Sequence, residues 1–383
     1  MKKTAGTILF IIIFVVFGLG IYYIISNPKP NSQYIADENN NSNVKNSYLI
    51  YALTDETSNS VNIVRYNSDT EEKKDIYTIP YQEEGNASPL FFKYNDDHIL
   101  IYRASSEDKN IIIDVNGNVD EGLYIPEFDS FLTSPSGKFL AYNKEYSNNG
   151  TTEYYFTVRD LQTGEESSKP NGINEQMPLI MNPIMWSVDE NTIYAVPQLQ
   201  TDWYPTGLLS INRNSLAIER NTAADDESLI QISMDDLFNI YGISTQGYDP
   251  YTDKFSKEII NISSVDNSVK KFPLSNSQVT ILQQASPNGN YIPYNYSSDG
   301  QLSELWVYDK IKAEEIRITE NSVIAGNIYW NQNLLAFFDY HSSQSSNGVS
   351  NNYVKIYNAE DGKSSIISEA IRNDNAQLIG WFR

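Results

Sequence analysis

The 383-residue chain contains no cysteine. That excludes disulfide cross-links, thiolate metal sites and a cysteine nucleophile, and with them the lipid-modified cysteine of a bacterial lipoprotein. Histidine is nearly absent: His98 and His341 are the whole set, so histidine-rich metal sites have nothing to draw on. Cations are scarce as well, with 27 Lys+Arg against 49 Asp+Glu and a formal charge of −22. Affinity for nucleic acid comes mainly from phosphate neutralisation by Lys and Arg, so no nucleic-acid partner is expected. Such a charge suits a well-solvated, exposed domain. Glycine-rich phosphate loops and zinc-ligand spacings are also missing, and neither a cofactor nor a metal is expected.

What is present is apolar and aromatic. Hydrophobic residues make up 40% and aromatics 13%, with 28 Tyr. Tyr favours the pleated, half-buried surface of a strand, and a chain of this length can bury a sizeable core. One apolar run stands apart. Residues 7–25, TILFIIIFVVFGLGIYYII, carry no charge and as a helix would span roughly 28 Å, close to the thickness of bilayer hydrocarbon. Lys2 and Lys3 precede it, which by the positive-inside rule keeps residues 1–6 in the cytoplasm. The run is longer than the apolar core of a cleaved signal and lacks a small-x-small cleavage site. It is therefore expected to be a single transmembrane signal-anchor in the cell membrane, with the C-terminal domain outside the cytoplasm. Residues 26–46 are rich in Asn, Ser and Pro and read as a flexible stalk.

Residues 47–383 repeat. The clearest unit is FLTSPSGKFLAYNKE from Phe131, followed by YYFTVRDLQTGE from Tyr154. A second copy is ILQQASPNGNYIPYNY from Ile281, followed by ELWVYDKIKAEEIRI from Glu304. Ser134–Gly137 and Ser286–Gly289 fit a type I turn, with Ser first, Pro second and Gly fourth. A turn of this kind joins two adjacent strands. A polar loop then leads to a third strand, and a second turn such as Asp160–Gly164 leads to a short fourth one. Four antiparallel strands, repeated, are the unit of a β-propeller blade. Second strands are expected to begin at Tyr48, His98, Lys138, Thr192, Leu237, Tyr291 and Asn333, which makes seven units. The first unit has no strand before Tyr48, whereas the chain ends in QLIGWFR from Gln377, a strand with no unit after it. That strand is expected to complete the first blade and close the ring, leaving no open edge.

The SPxGKxLAY unit followed by VxDLxTGE resembles the WD40-like repeat of TolB-type propellers. The resemblance covers nearly all of residues 47–383, is close in units three and six, and is degraded elsewhere. Trp186–Asn191 keeps the form WSxDxN without Pro or Gly, and unit five matches least. The resemblance implies an all-β, seven-bladed propeller of four-stranded blades, and little about chemistry.

No catalytic constellation emerges. The string nearest to a nucleophile elbow, Gly242–Gly247, is one residue too long and has no α/β surroundings. His98 opens a strand after Asp96 and Asp97, and His341 lies in a polar loop. Asp114–Asp120 only loosely resembles a calcium loop, and an Asn-Gly turn accounts for it. The acidic pairs Asp235/Asp236, Asp96/Asp97 and Glu314/Glu315 fall in expected turns and read as solvated surface. The long connections between second and third strands are better candidates, because loops and exposed aromatics carry recognition. They hold Trp203, Tyr204, Tyr248, Tyr251 and Phe255, with a further loop from His341 to Asn352, and should all project from one face. The expected function is a membrane-tethered binding or scaffold module for a protein, peptide or glycan partner. A propeller hydrolase or lyase with carboxylates in the central channel is the alternative.

Overall fold

Second strands are apolar almost without interruption, as in Ile99–Ile101 or Ile240–Ile243, and such strands need cover on both faces. Fourth strands are largely polar, as in Glu166–Pro170. A stack of twisted sheets around an axis satisfies both demands. The computed structural model describes residues 47–55, 60–80, 89–102, 110–120, 131–148, 151–171, 179–199, 207–227, 229–244, 258–275, 279–296, 304–320, 323–324, 328–340, 352–370 and 377–382. The transmembrane and stalk segments expected at 7–25 and 26–46 lie outside these residues. Among the described residues no helix is long and apolar enough to cross a membrane.

The described strands form seven antiparallel sheets, the blades of the propeller. In blades two to seven the strands run in chain order from the inside outwards. Blade one is the exception. Its order is Gln377–Phe382, Tyr48–Asp55, Ser60–Asn67, Lys73–Pro80, so the C-terminal strand pairs antiparallel with the first strand of the domain. Leu49 lies opposite Trp381 and Tyr48 opposite Phe382. The ring is closed as the sequence implied.

Seven buried apolar clusters hold it, one at each seam between consecutive blades. Blades one and two share Ile50, Ile63, Phe91 and Ile99. Blades five and six share Ile243, Ile259, Ile292 and Tyr294. At the closing seam Leu49, Tyr51, Leu378 and Trp381 of blade one meet Phe338, Val354 and Ile356 of blade seven. First strands also bond directly to one another across the seams. The indole N–H of Trp186 donates to the carbonyl of Leu132 at 3.1 Å, Trp330 to Gln284 at 2.8 Å, and Trp381 to Tyr329 at 3.0 Å. Gln377 uses both ends of its amide on the backbone of Phe91. These bonds link successive first strands around the ring, and the first strands form the inner wall.

The turns between third and fourth strands share one design. Each opens on Asn67, Asp114, Asp160, Asn212, Ser263, Asp309 or Asn358, whose side-chain oxygen accepts a backbone N–H two residues on. Each then places one residue in the left-handed region: Glu71, Gly117, Gly164, Leu216, Asn267, Ala313 and Gly362, with φ from 50° to 90°. Glycine takes that conformation without strain; the others do not.

Two features depart from expectation. The second strand of blade five starts at Ile240, not Leu237. Asp235–Asn239 form the turn before it, with Phe238 at φ 62°. A one-turn helix, Thr222–Asp226, also stands between blades four and five, with the Asn221 side chain capping it through the N–H of Ala224; Asn is a favoured N-cap.

Trp381 is buried at 7% exposure and takes part in both packing and bonding of the closing seam. Trp381→Ala is expected to destabilise the domain by about 3–5 kcal/mol, read as a lower urea midpoint. Truncation before Gln377 should abolish cooperative unfolding. Ala313 is exposed in its left-handed turn, and Ala313→Gly is expected to raise the midpoint by roughly 0.5–1 kcal/mol as strain is relieved, net of the entropy glycine adds to the unfolded chain.

Candidate functional site

The inner wall is the natural place to look for propeller chemistry. It consists of Leu90–Lys93, Phe131–Thr133, Leu179–Trp186, Leu229–Met234, Val279–Leu282, Val323–Ile324 with Tyr329–Asn331, and Gln377–Phe382. These strands carry Leu, Ile, Phe, Trp, Met, neutral amides and hydroxyls, and a single charged residue, Lys93. The Lys93 ammonium is already engaged. It donates to Asp96 Oδ1 and to the Trp381 carbonyl, each at 2.7 Å, and lies over the Phe382 ring.

The acidic pairs serve the fold. Asp235 is 1% exposed and holds its own turn. Its Oδ1 accepts the N–H groups of Leu237 at 3.0 Å and Asn239 at 2.9 Å, and Oδ2 accepts Asn239 Nδ2 at 2.9 Å and the Tyr241 hydroxyl at 2.8 Å. That Tyr241 oxygen accepts from Lys310 Nζ of blade six at 3.0 Å, and Lys310 also stacks over Tyr241 and Phe272. Burial lowers the Lys310 pKa, opposed by nearby Asp235. Gly289 lies so close that a Cβ would stand 2.1 Å from Asp235 Oδ2, so this corner of the seam has room only for glycine.

Glu315 accepts the Ser275 N–H at 2.6 Å and the Tyr294 hydroxyl at 2.5 Å. Blade three repeats the bond: Tyr142 donates to Glu166 at 2.7 Å, where Lys144 and Arg159 also pair. These are the two blades whose repeat is clearest, so the Tyr of LAY and the second Glu of TGEE are hydrogen-bond partners. Burial pushes the Tyr142 and Tyr294 phenols up, reinforced by these carboxylates. Burial alone would raise Glu166; the bonds from Tyr142 and Lys144 outweigh it and hold its carboxyl below the usual range.

Other sequence candidates also have structural duties. His98 Nδ1 lies 3.1 Å from Asn95 Oδ1. Ser244 donates to the Glu227 carbonyl at 2.8 Å from within a strand, not an elbow. Asp114 accepts from Asn116, Asn118 and the Asn118 amide, each at 2.8 Å, in a tight turn. His341, Trp203, Tyr204, Tyr248, Tyr251 and Phe255 lie outside the described residues. The residues flanking those connections are described: Leu199 and Gly207, Ser244 and Glu258, Tyr340 and Asn352. In each blade they are at the end opposite the tight turns, so they share one face.

That face is underpinned by buried polar ties. Asn143 donates to the Met181 carbonyl at 2.9 Å and accepts the Met181 N–H at 3.2 Å and the Asn171 amide at 2.9 Å, joining blades three and four. In blade seven the buried Asp339 pairs with Lys355 beside the ends of the connection 341–351. Sequence reading missed these ties, because nothing local marks which partner an Asn or Asp in a strand will meet.

The fold and wall together define the class, a closed seven-bladed β-propeller. No protein-family model matches the chain, and no curated protein does. Solved structures are similar in fold. They include TolB from Acinetobacter baumannii, at 13% identity over 84% of this chain and 79% of that one, TM-score 0.46. An oligogalacturonate lyase in complex with manganese is 12% identical over 76% and 86%, TM-score 0.52. A puromycin-hydrolyzing peptidase of Mycobacterium tuberculosis is 10% identical over 85% and 54%, TM-score 0.53. The chain thus spans about half of that peptidase. At these identities the fold is what is shared.

The turn carboxylates predict acid behaviour. Asp160, Asp189 and Asp266 lie below the usual carboxylate range, chiefly through backbone N–H and side-chain donors within their turns. In Asp266 the donors are the Ser268 hydroxyl and N–H. A depressed folded pKa contributes stability above the unfolded value near 3.8, and that stability is lost as pH falls through the folded value. The thermal midpoint is therefore expected to fall below about pH 4. Asp160→Asn keeps the cap that Asn67, Asn212 and Asn358 already provide, so it should leave the neutral midpoint unchanged and make the acid fall shallower. A steeper fall in thermal melts between about pH 5 and 2.5 would contradict this reading of the turns.

Proposed function

We propose that this protein is a propeller tethered to the cell membrane by residues 7–25, held off it by the stalk 26–46, and used outside the cytoplasm to bind a protein, peptide or glycan. The composition of the inner wall carries this reading. The strands around the axis offer apolar and neutral polar surface and one engaged lysine, Lys93, while acid–base chemistry needs titratable groups within reach of a substrate. Recognition falls to the connections on the loop face. Trp203 and Tyr204 in one connection, and Tyr248, Tyr251 and Phe255 in the next, supply the aromatic anchors that dominate binding energy at interfaces.

The lyase and the peptidase among the fold neighbours favour a second reading, an enzyme. In that case the reacting carboxylates would come from outside the described inner strands, which contain none.

Capture of partners by the immobilised full chain, from a detergent extract of its own cell envelope, tests the first reading. Trp203→Ala/Tyr204→Ala is expected to reduce capture by at least about tenfold, at about 2 kcal/mol for an aromatic anchor. Ile311→Ala, on an exposed residue of the opposite face, should leave capture unchanged. Equal capture by all three proteins removes the loop-face reading. Turnover of a polysaccharide or peptide by the purified chain supports the enzyme.

A further inference from the structure

Blades two and three differ in height. The second and third strands of blade two have five and four residues, whereas those of blade three have ten each. Both second strands start directly after a tight turn, at His98 and Phe139. Counted from there, Tyr102 ends its strand level with Asn143, and Lys144–Asn148 continue towards the loop face. At about 3.3 Å per residue that is a rise of roughly 16 Å. Side chains alternate across this strand pair. Ala141, Phe156 and Val158 face blade four and join the apolar cluster of that seam. Tyr142, Lys144, Tyr146, Glu153 and Tyr155 share the other face, on the side of blade two. The apolar cluster on that side is small, with Tyr94, Leu100 and Ile112 as its buried members, and above it the face turns polar.

We propose that this raised face binds a neutral glycan, with a pyranose ring stacked on Tyr146. The proposal deepens the binding reading above and rests on it, with a site apart from the five aromatic residues named there. Tyr146 is 43% exposed and is held in place from two sides. Tyr155 meets it edge to face, with ring centroids 4.9 Å apart, and the Lys144 ammonium stands 5.4 Å from its ring centre. Lys144 is itself fixed by Glu166 at 3.0 Å, which also takes Arg159 at 3.3 Å, and the Tyr155 hydroxyl donates to Glu153 at 3.1 Å. A pyranose presents an apolar C–H face and a rim of hydroxyls that both donate and accept. An exposed phenol ring matches the face, and fixed carboxylate, ammonium and phenol groups match the rim. Charge selects among ligands. Lys144 and Arg159 balance Glu153 and Glu166, so the strip is locally neutral within a chain of −22. That field repels an acidic polymer, and a basic peptide meets no net negative charge at the strip itself. An uncharged sugar chain is the ligand this surface complements.

The test is calorimetric titration of the full chain, in a detergent without a sugar headgroup. The probes are three neutral hexasaccharides (cellohexaose, chitohexaose and maltohexaose), with hexagalacturonate and hexalysine as charged controls. At least one neutral probe is expected to bind within a range of about 5 mM, and more tightly than either charged control. Tyr146→Ala should weaken that binding at least about tenfold, the loss typical of an aromatic anchor. Tyr146→Phe keeps the ring and should stay within about twofold of the original. Ile311→Ala, exposed on the tight-turn face, should bind as the original does. Thermal melts of each variant show that the fold is kept. Failure of all three neutral probes, binding that ignores Tyr146→Ala, or tighter Tyr146-dependent binding of hexalysine or hexagalacturonate would each overturn the proposal. Loss of envelope capture in Trp203→Ala/Tyr204→Ala, with no neutral probe bound, would sink this site and leave the loop-face reading standing.

Discussion

Pairing between the two ends of the domain is the contact on which the remaining seams depend. Tyr48–Asp55 has no inner partner of its own until Gln377–Phe382 returns to it. That single strand supplies both neighbouring seams: Leu378 and Trp381 pack towards blade seven, Ile379 and Phe382 towards blade two. A blade in a propeller is too thin to bury its own apolar faces, and each face is covered by the next blade. In an open repeat array the end units need polar caps. Here the ring removes the ends, and its cost is that the last residues of the chain must find the first strand, a pairing of very high sequence separation.

The two faces divide the work. On one, the tight turns lock to one another across the seams: the N–H of Ser136 donates to Glu190 at 2.6 Å, that of Asp236 to the Pro287 carbonyl at 3.1 Å, and Asn288 to Asn333 at 3.2 Å. Glu190 shows how such a contact arises. It stands where blades three and six have the turn glycine, with φ 56°, and the side chain that glycine lacks reaches into the neighbouring turn. Local strain is exchanged for a bond between blades. On the other face the strands hand over to long connections, and only the polar ties around Asn143 and Asp339 stiffen their roots.

The architecture was legible in the sequence because turn chemistry is local. Ser-Pro-x-Gly and Asp-x-x-Thr-Gly each specify a backbone shape within five residues, and in blades three and six that shape is what the chain adopts, with Gly137 and Gly289 at φ 71° and 65°. Blade five hid itself because the same shape is made from other residues. Asp235 replaces the turn serine and Phe238 takes the glycine position, which leaves Leu237 and Phe238 looking like the start of a strand. The indole bonds of Trp186, Trp330 and Trp381 were not legible, since each spans a seam and its acceptor is a backbone carbonyl. The bond between Tyr142 and Glu166 was missed for the opposite reason: its two residues were both in the repeat, but nothing in a one-dimensional pattern says that the second strand reaches over the third to the fourth.

The placement of charge bears on what a propeller of this kind can do. Carboxylates are abundant in the chain, but those that are buried here are bound to structure: Asp235 by four donors, Asp309 by its turn and Lys312, Asp339 by Lys355. A carboxylate that accepts several hydrogen bonds is stabilised as the anion and is a weak proton acceptor, as the depressed Glu166 illustrates. Fixing acids in this way stiffens the turns and seams. The inner strands interlock through indole and amide groups instead. What the ring does not constrain is the sequence of the connections on the loop face.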